Sequence, residues 1–432
     1  MNLRDIRKKH RVIDLFVDLA EMPSPSFKEK ALAETISEIL SIHDIDSKFD
    51  SYGNIIAKIP ASADCKNVEP ILLSAHMDVV GGADPVNVVL NGNFIETDKK
   101  RTLGADDKAG IAAIIDVAIE LADVYSQTSH GPVEITFTRD EEHSMTGIQN
   151  LDTSKLSSKY ALILDGESLG VIDRSGAGYT NIFVKVSGGK GGHSGIDIAD
   201  TTRVNALKVL AELDSEIPQG VCKKDETGVI TSINAASFIG GSAGLLLGER
   251  IKDLFSEKPK KFPEELQSDN VMSFVCRNSM TNIIPQEAYG AYSLRSSDPK
   301  FEKELLQQIQ KSVDKLIAKY ERRIKIELVI KKHLKPFVEA DDKTLEKIVK
   351  KAADTAGITS KVSCFHAGAE THVLSNEKLN AKKEKFLPLL LGIANIYNMH
   401  SSDESLDWQS LISGRNWLKE IVLGFSKQNE IK

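Results

Sequence analysis

The chain has 432 residues, 41% of them apolar, a length for two or three domains with substantial cores. A net charge of −7 and a pI near 5.9 leave no concentrated basic surface, which argues against nucleic acid or an anionic membrane as the main partner. Four scattered cysteines, Cys65, Cys222, Cys276 and Cys364, form no CxxC pair, so neither a disulfide framework nor a structural zinc site is implied.

The charged N-terminus, Met1 to His10, runs into an amphipathic helix and shows no signal peptide. No apolar run approaches the roughly 20 residues that span a bilayer, so the expected location is the cytoplasm. Helical spacing continues from Arg11 to Ala20, Pro23-Ser24-Pro25-Ser26 breaks it, and a second helix is predicted from Lys28 to Leu40. Two strands follow, Tyr52 to Ile59 and Pro70 to Ala75. The run Ile71-Leu72-Leu73-Ser74-Ala75 is almost continuously apolar, as in a parallel sheet covered on both faces, and His76-Met77-Asp78 stands at its carboxyl end.

Leu103-Gly104-Ala105-Asp106-Asp107-Lys108-Ala109-Gly110 then places two carboxylates before an apolar helix, Ile111 to Leu121. A carboxylate raised by such a turn can bridge two cations, because both oxygens carry lone pairs. An isolated pair in that place also reads as a helix N-cap. The strand Val133 to Thr138 ends in Arg139-Asp140-Glu141-Glu142-His143, and the strand Tyr160 to Leu164 ends in Asp165-Gly166-Glu167. Strand and helix alternate as in an α/β core.

The character changes near Tyr179. A half-buried strand, Asn181 to Val186, precedes Gly188-Gly189-Lys190-Gly191-Gly192-His193-Ser194-Gly195. A helix from Thr202 to Leu213 and strands at Val229 to Phe238, Val271 to Cys276 and Glu287 to Leu294 come next, with Lys252 to Asn270 as a polar surface excursion. A charged helix, Phe301 to Arg322, and a strand, Ile324 to Ile330, complete an α+β block. The expected organisation is therefore a mixed, mainly parallel sheet flanked by helices in residues 1–179 and 334–432, with an inserted α+β domain at 180–333. Near the end, the apolar stretch Phe386 to Ile393 leads to Asn398-Met399-His400.

His76, Asp106, Glu142, Asp165 and His400 make a set of two imidazoles and three carboxylates, a donor set that suits zinc or a neighbouring first-row ion. Each has a plainer reading alone: a structural histidine, a solvated glutamate pair, a turn aspartate. The placement of three of them, His76, Glu142 and Asp165, at or just beyond predicted strand ends favours a two-metal site, with Asp106 as its bridge.

His76-Met77-Asp78, Gly104 to Gly110, Asp140-Glu141-Glu142 and the late His400 resemble the motifs of the co-catalytic zinc exopeptidases, the family of peptidase T, Xaa-His dipeptidase, glutamate carboxypeptidase and aminoacylase. The likeness continues through Lys190 to Gly195 and Asn282-Ile283-Ile284-Pro285. It implies a zinc exopeptidase fold whose inserted domain serves as a lid or dimerisation domain. It implies that His76 and Asp165 hold one metal ion, Glu142 and His400 the other, and that Asp106 bridges them. The ions would be zinc, with cobalt or manganese as substitutes. Glu141 would be the general base in the attack of a metal-bridged water on a peptide carbonyl. Asp78 would accept the second imidazole N–H of His76, and the Asp106–Asp107 peptide would be cis.

In the inserted domain the resemblance assigns His193 to the oxyanion, and Asn282 and Arg295 to the carbonyl and carboxylate ends of the substrate. A phosphate cradle at His193 lacks the Gly-Lys-Ser/Thr ending, and Arg295 reads equally as a surface salt bridge. Phe365 to His372 resembles the His-Ala-Gly-x-Glu segment of Xaa-His dipeptidase, whereas Gly104 to Gly110 is closer to peptidase T. His366 and Glu370 are expected to face the substrate, the carboxylate meeting its free ammonium. The expected activity is that of a di- or tripeptide aminopeptidase, with a homodimer formed through the inserted domain. An amidohydrolase of the aminoacylase or carboxypeptidase kind, a metal-free binding relative and a two-metal phosphoesterase are the alternatives.

Overall fold

The computed structural model describes residues 2–123, 128–241 and 281–427. The predicted strand Val271 to Cys276 and the excursion Lys252 to Asn270 lie outside the described residues. The chain divides into two compact units, one of Met1–Gly176 with Phe337–Lys432, the other of Ala177–Pro336. Each division falls three residues from the expected boundaries at 179/180 and 333/334.

The first unit is built on an eight-stranded mixed sheet. Its centre is four parallel neighbours in the order Val133–Thr138, Ile71–His76, Tyr160–Gly166 and Leu387–Gly392. Antiparallel pairing adds Ile55–Ile59 and Ser47–Phe49 on one side and Val171–Gly176 on the other, where Lys361–Phe365 closes the edge in parallel. Burial on both faces explains the continuous apolar runs. Ile71, Leu73 and Ala75 pack among Phe16, Ile114, Trp417 and Phe425 on one face, while Leu72 joins Ile148, Val373 and Leu390 on the other.

Helices cover the first face. Arg11–Glu21, Ala105–Ala122 and Trp408–Ser426 bring their apolar stripes to it. The N-terminal helical run is two pieces, Leu3–Lys9 and Arg11–Glu21, because His10 between them is extended. The second predicted helix begins at Lys30 and ends at Ile42. Trp408–Ser426 lies so close to the sheet end that a Cβ on Gly414 would stand 1.6 Å from the Ile393 carbonyl oxygen.

The second unit is a five-stranded antiparallel sheet in the order Gly220–Asp225, Gly228–Gly240, Ala288–Ser296, Gly178–Ser187 and Lys325–Leu334. The helices Ala206–Glu216 and Pro299–Lys319 pack on it through Val209, Leu213, Leu305, Ile309 and Val313. Asp298 caps the longer helix by accepting from the Lys300 and Phe301 N–H groups, with Pro299 in its first turn.

Gly414→Ala forces a methyl group against main chain that cannot step aside, an overpacking worth about 1–3 kcal/mol. Thermal unfolding should show a midpoint several degrees below wild type. Gly82→Ala, where the new Cβ meets only the Asp84 side chain at 3.3 Å, should unfold with the wild-type midpoint.

Candidate metal centre

Three parallel neighbours deliver side chains at their carboxyl ends, where ligands collect in α/β sheets. His76 is the last residue of Ile71–His76 and pairs in register with Thr138. Beyond Thr138 the chain turns at Asp140, whose φ is +51°, into Glu141 and Glu142. Asp165 is the penultimate residue of Tyr160–Gly166.

Asp106 comes from the first turn of Ala105–Ala122, which is not helical there: Asp106 has φ −83° and ψ 105°, and Asp107 has φ −118° and ψ 35°. The peptide between them is cis, as the resemblance implies. Gly104 enters this turn at φ +74°, and a Cβ on it would stand 2.7 Å from Val79 Cγ1, so only glycine fits. His400 rides on the loop between Ile396–Tyr397 and Ser405–Asp407, itself at φ +61°.

These segments converge. His76 Nε2 lies 2.9 Å from Asp106 Oδ1 and 3.5 Å from Asp165 Oδ1. His400 Nε2 lies 3.1 Å from Asp106 Oδ2 and 2.9 Å from Glu142 Oε1. Donor atoms of His76, Asp106 and Asp165 fall within 4.8 Å of one another, and so do those of Asp106, Glu142 and His400. Asp106 belongs to both groups, one oxygen turned to each imidazole. A third group of the same size joins His76, Glu141 and Glu142.

The electrostatics favour cations at this place. Burial, with Asp106 beside it, pushes Asp165 up to about 8. The carboxylates of Asp106 and Glu142 push the His400 imidazole up to about 10. Burial, with Asp165 and Glu142 close by, holds Glu141 well above the usual carboxylate range. Like charges this near one another in a buried site call for positive charge between them. Glu142 Oε1 is buried and accepts no hydrogen bond although it faces His400. The donor set, the shared carboxylate and this orphaned oxygen fit a pair of divalent ions.

Asp78 meets the second imidazole nitrogen of His76 with two acceptors. The acceptor nearest to His76 Nδ1 is the main-chain carbonyl of Asp78, at 2.9 Å, with the Asp78 carboxylate at 3.4 Å. A carbonyl only accepts, so Nδ1 carries a proton, and Nε2 is the nitrogen turned to the cluster. The Asp78 carboxylate also accepts from the Glu141 N–H at 2.8 Å, the Glu142 N–H at 3.1 Å and the Ser26 hydroxyl at 2.7 Å. It therefore fixes the turn that presents both glutamates.

Asp106, Glu141, Glu142, Asp165, His366 and His400 line a cavity of about 560 Å³ within the first unit. Glu370, expected to face the substrate, is 1% exposed and outside that lining. It is the first residue of Glu370–Glu377, and its Oε2 lies 3.4 Å from Ser74 Oγ in the sheet. Burial pushes it up to about 7.

His193 and Asn282 meet within the second unit: His193 pairs in register with Ile283, and the Ser194 N–H donates to the Asn282 carbonyl at 2.8 Å. Arg295, on Ala288–Ser296, stacks over the Tyr179 ring at 4.8 Å. Among the described residues it makes no ion pair, so the salt-bridge reading finds no partner there.

Sequence reasoning missed Ser26, read only as part of a helix break, and Asp173, a cavity-lining acid on Val171–Gly176 that burial pushes up to about 6. Nothing in their local sequence marks them; both are recruited by pairing between segments distant in the chain.

The family model described as "Peptidase family M20/M25/M40" matches residues 72–424. A cytosol non-specific dipeptidase of Escherichia coli (strain K12) is 30% identical over 213 residues, 43% of this chain and 43% of that protein, so the match spans under half the length of that relative. The crystal structure of aminopeptidase PepT from Bacillus cereus ATCC 10987 superposes with a TM-score of 0.77 at 19% identity, covering 96% of this chain and 98% of that one. A dinuclear metal binding peptidase of the M20 family from Bacillus subtilis superposes with a TM-score of 0.63 at 14% identity, over 96% and 97% of the two chains. These likenesses extend the shared architecture over nearly the whole chain.

The geometry distinguishes ligands by what they share. His400→Ala should leave about one divalent ion per chain after zinc loading and gel filtration, and Asp106→Ala should leave well under one. Equal metal content in the two variants would contradict the bridging position of Asp106.

Proposed function

This chain belongs to the peptidase family M20/M25/M40, and from that premise we propose that it is a two-metal exopeptidase that hydrolyses short peptides, most closely a di- or tripeptide aminopeptidase. The observation that carries the proposal is the position of Asp106 in both donor groups. His76 and Asp165 would hold one ion, Glu142 and His400 the other. Zinc is the first choice because imidazole and carboxylate donors in this number suit it, with cobalt or manganese as substitutes. The likeness to the Bacillus subtilis protein, a dinuclear metal binding peptidase, supports the count.

Bound ions would supply Lewis acidity, polarising the scissile carbonyl and making water acidic enough to lose a proton at neutral pH. The chain's own residues do the rest. Glu141 stands beside the cluster without belonging to either donor group that contains Asp106, so its carboxylate is free to take the proton of the attacking water. The same group then gives that proton to the departing amine nitrogen. Asp78 keeps Glu141 in place through its main-chain N–H.

The cavity volume falls in the range of small-ligand sites and admits a short peptide rather than a folded protein. The resemblance adds His193, Asn282 and Arg295 as substrate-binding groups, His366 and Glu370 as further contacts, and a homodimer through the inserted domain. A cytoplasmic place of work fits the name of the Escherichia coli relative, a cytosol dipeptidase. Among the described residues no helix is long and apolar enough to cross a membrane.

A hydrolysis screen with zinc, cobalt and manganese, comparing unblocked di- and tripeptides with N-acylated amino acids, tests the assignment. Cleavage of the unblocked peptides alone is expected; preference for the acylated amino acids would transfer the chain to the aminoacylase kind. Glu141→Gln should keep both ions and lose activity by about 10²–10⁴-fold or more, since the base and not a ligand is removed. Parallel loss of metal and activity would mean that Glu141 is itself a ligand.

A further inference from the structure

Glu404 lies four residues beyond His400, is 1% exposed, and belongs to neither donor group. Its carboxylate gathers three donors from a single turn. Oε2 accepts from the Gly104 N–H at 2.7 Å and from the Thr102 hydroxyl, and Oε1 accepts from the Asp106 N–H at 3.3 Å. These contacts join positions about three hundred residues apart in the chain.

The neighbouring cations are engaged elsewhere. Arg101 donates to the carbonyls of Asp84, Thr102 and Ala20, and Lys108 Nζ donates to the Met22 carbonyl at 2.6 Å. They supply favourable field around the acid without taking its lone pairs. Main-chain N–H groups and one hydroxyl are what the carboxylate holds.

The His400 side of the clamp explains why it matters. His76 and Asp165 are fixed by strands at the centre of the sheet. His400 is half-exposed on a loop, on left-handed backbone. That loop is tied at its base by the Ile396–Leu406 and Tyr397–Ser405 pairs, and internally by the Glu404 N–H to the Ser401 carbonyl. Its foot also pairs with the strand Phe94–Thr97 through Leu406–Ile95 and Asp407–Phe94, some ten residues before Asp106, and the exposed Lys99–Asp403 ion pair adds a link worth little in water. Among the described residues, the buried side chain that reaches from this loop to the main chain of the Thr102–Asp106 turn itself is Glu404.

We propose that Glu404 is a positioning residue of the metal centre: its carboxylate holds the Thr102–Asp106 turn and the His400 loop as one body, and so sets the grip on the ion shared by Asp106, Glu142 and His400. The ion at His76 and Asp165 feels it only through Asp106, since its other two ligands are set by strands. This rests on the two-ion reading above. Outer hydrogen bonds of this kind commonly alter metal affinity by about 10–100-fold. Here the bond acts through the main chain of a bridging ligand and through the loop of a terminal one.

The test is a zinc titration of the metal-free full chain against a chromophoric chelator, with melting of the metal-free protein alongside. Glu404→Gln keeps the size and replaces one acceptor oxygen by a donor. Thr102→Val removes only the hydroxyl, and decides the matter if Glu404→Gln fails to fold. The first dissociation constant should stay within twofold of wild type while the second rises about 10–100-fold in Glu404→Gln and by a smaller factor in Thr102→Val. Lys99→Ala should change neither. A second constant within twofold of wild type in both clamp variants, or both constants rising together with a lowered melting point, overturns the clamp and leaves the two-ion reading standing. Fewer than two ions on the wild-type chain overturns both.

Discussion

Carboxylates crowd together at the top of this sheet, and the rest of the structure is arranged to make that tolerable. Asp106, Glu141, Glu142 and Asp165 share a buried corner with two imidazoles, each within a few ångströms of another acid. In a medium of low effective dielectric such a cluster is relieved by protons on some of the acids or by positive charge placed among them. Rigidity follows from the same demand. The central strands are apolar on both faces and immobilise His76 and Asp165, while the chain on either side is tied down by hydrogen bonds to main-chain N–H groups.

Two buried acids outside the candidate donor groups do most of that tying. Asp78 accepts from the N–H groups of Glu141 and Glu142, and Glu404 from those of Gly104 and Asp106. Each fastens a segment that has no strand to fix it. Carboxylates suit this work because they only accept, and a charged acceptor makes a stronger bond to an N–H than a neutral one. The cost of burial is offset by several donors converging on one group.

How much of this was legible in the sequence depended on the range of the interaction. Ile71–His76, Val133–Thr138 and Tyr160–Gly166 were readable because burial on both faces writes itself as an unbroken apolar run. The acids and imidazole just beyond those runs were readable for the same reason. Val171–Gly176 was not, because Asp173, Arg174 and Ser175 interrupt any apolar pattern and its place is set by partners at Leu390 and Lys361. The hairpin of Val88–Asn91 and Phe94–Thr97 was missed likewise: Val89 and Phe94 are exposed, so the alternation that would mark a strand is weak. The burial of Glu370 was not readable, because the pairing of an acid with an ammonium is a chemical argument, and which way the helix Glu370–Glu377 turns that acid is a packing outcome. Glu404 carries no local signature, since every partner of its carboxylate lies near Gly104.

Two cations sharing one carboxylate are what the proposed chemistry requires. Anomalous diffraction from crystals soaked in zinc, recorded on both sides of the zinc absorption edge, tests that directly. The expected map has two peaks about 3.5–4 Å apart, one on each side of the Asp106 carboxylate, the first beside His76 and Asp165 and the second beside Glu142 and His400. A single peak, or zinc bound away from Asp106, would contradict it.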